Sequence, residues 1–95
     1  MRLLRTRRYL AELAAMGDYL AERNPRAAYR IVNDIDGAAQ RMLMVNPFIG
    51  RTGDIPGTRE FVVSGIPYIV AYRVADDQIE LLFVQHGAQV WPSST

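Results

Sequence analysis

Arg59, Arg73 and His86 are the side chains of this 95-residue chain best suited to chemistry. A guanidinium grips phosphate or carboxylate through paired hydrogen bonds, so two of them on one face would hold a phosphodiester. Histidine titrates near neutrality and, set against a substrate proton, contributes a roughly 10²–10⁴-fold effect as acid or base. The three together would make a phosphate clamp with a proton-transfer group. Each also has a plainer explanation. Glu60 and Glu80 are placed to neutralise the arginines in surface ion pairs, and a strand-end histidine can simply bond backbone or face water. Gln89 and Trp91 follow in the tail. Tryptophan there either anchors a protein interface or covers the edge of a core.

Other chemistries lack their residues. There is no Gly-rich phosphate loop, no metal-ligand spacing and no cysteine, and one histidine cannot build a multi-histidine site, so neither cofactor nor metal is expected. Ser64 falls in a turn with no identifiable base, which speaks against nucleophilic catalysis. All eleven basic residues are arginine, yet the net charge is only +1. Such a balance argues against broad electrostatic binding to nucleic acid. The cysteine-free composition fits a reducing compartment. No apolar run approaches the ~20 residues that span a bilayer. Arg5, Arg7 and Arg8 interrupt any secretion-signal core. A cytoplasmic location without membrane contact is the expectation.

The elements that must position these groups are legible. Arg2 to Arg5 forms a short opening strand. Thr6 is a natural N-cap for a helix running to about Arg23, whose apolar stripe includes Leu10, Leu13, Gly17 and Leu20. Glycine on that stripe costs about 1 kcal/mol relative to alanine, which close approach of a second helix would offset. Asn24-Pro25 caps and opens a second helix, to about Val45, which Asn46-Pro47 ends. So short a junction implies an antiparallel helical hairpin. Phe48 to Pro56, with its glycines and prolines, reads as a loop. Three β-rich runs follow: Arg59 to Val63, Tyr68 to Val74 and Gln78 to Gln85, the last two split by a tight turn at Ala75-Asp76-Asp77. Continuous apolarity in the last two implies cover on part of both faces. The expected fold is a single α+β domain, residues 1–95, in which a short N-terminal strand and a helical hairpin pack on a small antiparallel sheet.

Taken in order, Asp18-Tyr19-Leu20-Ala21-Glu22-Arg23-Asn24-Pro25-Arg26-Ala27, Asn46-Pro47-Phe48-Ile49-Gly50-Arg51, Gly57-Thr58-Arg59-Glu60, Tyr68-Ile69-Val70-Ala71-Tyr72-Arg73 and Val84-Gln85-His86-Gly87 resemble the RelE/ParE family of type II toxins. The resemblance covers nearly the whole chain and implies the same fold. It implies a cognate antitoxin that wraps the toxin in a hetero-oligomer. It also offers two targets. The RelE-like branch cleaves ribosome-bound mRNA, here with Arg59, Arg73 and His86 as the candidate catalytic set. The ParE-like branch poisons DNA gyrase by protein contact. Ile69 follows Tyr68 where the ribonuclease branch carries arginine, lysines are absent, and Ala88-Gln89 stands where that branch has another arginine. The reading therefore favours the ParE-like branch, with Arg59, Arg73, His86, Gln89 and Trp91 meeting the target and Tyr9, Leu13, Tyr19 and Tyr29 meeting the antitoxin. An inactive partner that merely sequesters antitoxin is the third alternative.

Overall fold

Thr6 does cap the first helix: its hydroxyl oxygen accepts the Tyr9 N–H at 3.2 Å and donates to the Leu81 and Leu82 carbonyls. The helix start is thereby fixed to the sheet. The computed structural model describes residues 1–87. Its elements are β1 (Arg2–Arg5), α1 (Arg7–Ala21), α2 (Pro25–Val45), β2 (Arg51–Thr52), β3 (Arg59–Val62), β4 (Tyr68–Ala75) and β5 (Gln78–His86). Asn24 caps α2 by accepting the Ala27 N–H at 3.1 Å, with Pro25 in the first turn. Gly17 meets Val32 of α2 so closely that a Cβ would lie 3.0 Å from the valine methyl. The hairpin contact expected from that glycine is therefore real.

The helices cover one face of a five-stranded sheet ordered β1-β5-β4-β3-β2. The sheet is mixed, not purely antiparallel: β2 to β5 form the meander, but β1 lies parallel to β5, with Leu3 opposite Ile79 and Arg5 opposite Leu81. Parallel neighbours need a long crossover. Here everything between the first and last strands supplies it, so no local turn announces the pairing. The expected loop at 48–56 also contains β2, a strand of two residues that no sequence period can reveal. At the β4–β5 turn Asp76 adopts φ 54°, a left-handed conformation that aspartate tolerates.

Tyr9 and Leu13 from α1, Ile35, Ala39 and Leu43 from α2, and Val70, Tyr72, Ile79, Leu81 and Val84 from the sheet make the core. Ile69 and Ala71 are buried as well, on the opposite sheet face. Ile55 borders the same cleft as Ala71 there, so part of the 53–58 loop folds across that face.

Two polar nodes tie these layers together. At the first, Asp36 of α2 accepts Nε and Nη2 of Arg5, each at 2.8 Å, and the Tyr9 hydroxyl, also at 2.8 Å. The Arg5 hydrogen bonds hold the Asp36 carboxyl below its usual range, against a smaller opposing effect of burial. Burial, then the bond to Asp36, pushes the Tyr9 hydroxyl upward. At the second node the buried Tyr72 hydroxyl accepts the Gly50 N–H at 2.8 Å and donates to the Pro47 carbonyl at 2.8 Å. A Cβ on Gly50 would stand 2.6 Å from that oxygen and 2.8 Å from the Glu60 carbonyl.

Asp36→Asn removes a charge that two partners share, and should lower unfolding free energy at pH 7 by about 2 kcal/mol in urea titrations. Because the folded-state pKa is depressed, the wild-type contribution is complete above the unfolded carboxylate value of about 4 and fades as pH falls through the folded value. The gap between wild type and variant should therefore narrow below about pH 4. Gly50→Ala should destabilise by about 1–3 kcal/mol, since neither the tyrosine nor the carbonyl can withdraw cheaply.

Candidate functional site

Register decides whether the arginines cooperate. Directly opposed residues in an antiparallel pair share a face, and Arg59 opposes Tyr72. Arg59 thus turns to the helix side, where its Nη1 donates to the Gly50 carbonyl at 2.9 Å and the Phe48 carbonyl at 3.3 Å. Its guanidinium also lies 5.1 Å from the Phe48 ring centre. Arg73, next along β4 from Tyr72, faces the other way. Its Nε pairs with Glu80, its cross-strand partner, which Gln78 Nε2 also contacts at 2.8 Å. The Arg73 hydrogen bond depresses the Glu80 carboxyl.

His86 closes the far end of β5 and opposes Tyr68, whose ring it meets edge-on at 5.1 Å. Arg59, Arg73 and His86 therefore do not gather around one hollow. The phosphate clamp allowed by their spacing is absent from the described residues, because alternation along β4 sends adjacent positions to opposite faces. Gln89 and Trp91 lie outside the described residues.

The residues expected to meet an antitoxin divide in two. Tyr9 and Leu13 are core residues, 0% and 7% exposed, and cannot offer a surface. Their helical stripe points inward, and a tyrosine ring suits a core once its hydroxyl has the Asp36 carboxylate. Tyr19 and Tyr29 are exposed. Tyr29, on α2, is not among the lining residues of a groove of about 680 Å³ that Tyr19 borders with Glu12, Ala15, Met16, Tyr68, Val84 and His86. Arg23 stacks over the Tyr19 ring at 4.3 Å. His86, expected at the target, thus shares a groove with Tyr19, expected at the antitoxin.

This groove borders an open strand edge. β1 covers β5 only from Gln78 to Leu81, so among the described residues β5 beyond that point has no strand on its outer side. The Glu12 carboxylate takes the place of a strand carbonyl by accepting the Val84 N–H at 3.1 Å. Arg8 donates to the same carboxylate at 3.0 Å and lies over the Phe83 ring at 4.3 Å. Glu12 gives no signal in the sequence, since its role depends on where the last strand passes.

A second groove, about 640 Å³, lies between α2 and β3 and is lined by Ala38, Arg41, Met42, Ile49, Phe61 and Val62 among others. Phe48 and Ile49, apolar residues in a proline- and glycine-rich loop, were the available sequence signal for it. A smaller cleft on the other sheet face brings Arg8, Thr58, Arg73 and Phe83 together. No group of three potential metal-ligating side chains occurs among the described residues. Nor is any helix of these residues long and apolar enough to cross a membrane.

Comparison with known proteins places this arrangement. The family model described as the ParE toxin of the type II toxin–antitoxin system parDE matches residues 3–91. The chain is 44% identical to the toxin candidate Y4kP of Sinorhizobium fredii, covering 92% of this chain and 88% of that one. It is 35% identical to toxin RelE2 of Caulobacter vibrioides, over 90% and 93% of the two chains. A solved structure of a chromosomal ParDE system from P. aeruginosa superposes with a TM-score of 0.82 at 27% identity, covering 90% of this chain and 95% of that one. With the helical hairpin on a five-stranded sheet and the family match along nearly its whole length, the chain belongs to the ParE toxin family of type II toxin–antitoxin systems.

Proposed function

We propose that this toxin arrests bacterial growth by docking onto DNA gyrase, and that a cognate antitoxin neutralises it by occupying the groove between α1 and β5. One observation carries the first half. Arg59 and Arg73 face opposite sides of the sheet, Arg73 with a carboxylate of its own and Arg59 holding backbone carbonyls. The clustering that motivated a ribonuclease reading is thus missing. Exposed apolar side chains remain the more prominent surface feature, and these suit contact with another protein.

The second half rests on the open edge of β5. An extended antitoxin segment can add a strand there, with main-chain bonds beyond Leu81 and side chains in the pocket walled by Ala15, Met16 and Tyr19. To reach the Val84 N–H it must displace the Glu12 carboxylate, a modest cost since Glu12 keeps Arg8 and water as partners.

Purified toxin at excess over gyrase should abolish supercoiling of relaxed plasmid in vitro. Unchanged supercoiling, combined with new codon-specific mRNA ends in primer extension from induced cells, would transfer the target to the ribosome. A chain that leaves growth untouched when expressed alone would instead be an antitoxin-sequestering partner. For the antitoxin groove, Tyr19→Ala should weaken the toxin–antitoxin complex by about tenfold or more in titration calorimetry. Tyr29→Ala, outside the groove, serves as the control and should have little effect.

A further inference from the structure

We propose that the α2–β3 groove and the Phe48–Ile49 loop form a second docking surface, separate from the α1–β5 groove, for an apolar protein patch with an acidic rim on the molecule the toxin attacks. This rests on the toxin reading above. It starts from a run of large apolar side chains left in water. Met42 is 44% exposed, Val45 86%, Phe48 59% and Ile49 44%. Met42 and Ile49 line the groove itself, with Val62 on its β3 wall. Isolated exposed apolar residues are ordinary, but a contiguous set bordering a groove marks an interaction site.

The loop that displays them is over-determined. Tyr72 holds Pro47 and Gly50, Arg59 holds the Phe48 and Gly50 carbonyls, and Asn46 Oδ1 accepts the Phe48 N–H at 3.1 Å. These bonds fix a short loop whose bulky side chains point outward and contribute little to the core. Such a loop loses little conformational freedom on binding, which is how preorganised surfaces gain affinity.

The charge around the patch selects the partner. Arg41 and Arg51 line the groove and Arg59 lies beside Phe48. The nearest acid, Glu60, is mostly buried in its bond to Arg51 at 2.9 Å, leaving Asp34 farther back along α2. With Arg51 and Glu60 neutralising each other, Arg41 and Arg59 outweigh Asp34, so the surroundings of the patch keep a small net positive charge that an acidic rim would complement. A second copy of this chain is disfavoured, because a two-fold contact would bring together two surfaces of the same net charge. The position of the surface also separates it from the antitoxin groove. The two flank opposite sides of the sheet order, one beside β5 and α1, the other beside β3 and α2.

The test compares inducible growth arrest by the full chain with that by Arg41→Glu and Ile49→Ser. Both variants should need at least about tenfold more toxin for half-maximal arrest. Both should still bind the cognate antitoxin within about twofold of wild type, as hot-spot energetics confine the loss to the surface altered. Should Ile49→Ser fail to fold, the exposed Arg41→Glu decides alone. Undiminished arrest would overturn the proposal, as would parallel loss of antitoxin binding or concentration-dependent self-association that Arg41→Glu removes. Wild-type arrest without gyrase binding, checked by pull-down with the purified enzyme, would refute the gyrase target and leave this surface standing on the growth data. A harmless wild-type chain would remove the toxin reading and this surface with it.

Discussion

The carboxylate of Asp36 is the point on which the molecule's layers are hung. It sits on α2, yet its partners come from β1 and α1, so one group fixes three elements against each other. The arrangement works because it is only part-buried. Arg5 and Asp36 keep 30% and 27% of their side-chain surface exposed, so desolvation is incomplete while the bidentate geometry is retained. With β1 held this way, Arg5 lies beside Leu81 and the opening strand seals one end of β5. The chain then leaves for α1, and among the described residues no strand covers the remainder of β5 on that side.

That early departure shapes the surface. Had β1 continued, strand pairing would have satisfied the edge beyond Leu81 and no groove would exist beside α1. Instead a glutamate from the helix supplies one acceptor and a threonine supplies one donor. Side chains that stand in for a strand keep the edge from pairing indiscriminately. They also leave it available to a partner that brings its own main chain.

The other end of the sheet follows a different logic. There β2 pairs with only Arg59 and Glu60, and the preceding loop is drawn in to the Tyr72 hydroxyl. Tyr72 is buried and its hydroxyl is consumed entirely by loop backbone, so a residue that reads as strand filler organises a surface segment. Arg59 joins it in that task. A guanidinium that sequence reading offers as a phosphate ligand is here a bracket for two carbonyls.

Local physics determined much of this protein from its residues alone. The caps at Thr6 and Asn24, the proline that opens α2 and the strand runs after Gly57 all depend on neighbours within a few positions, and each is present as read. The resemblance to the toxin family likewise lay in the order of short segments. Only the tertiary structure decided what required distant partners. The parallel seating of β1, the two-residue β2, the burial of Tyr9 and Leu13, and the separation of Arg59 from Arg73 to opposite faces all turn on strand register or on which stripe of a helix meets the sheet. Composition and spacing do not encode that choice locally, because a shift of one residue along a strand sends every side chain to the other face.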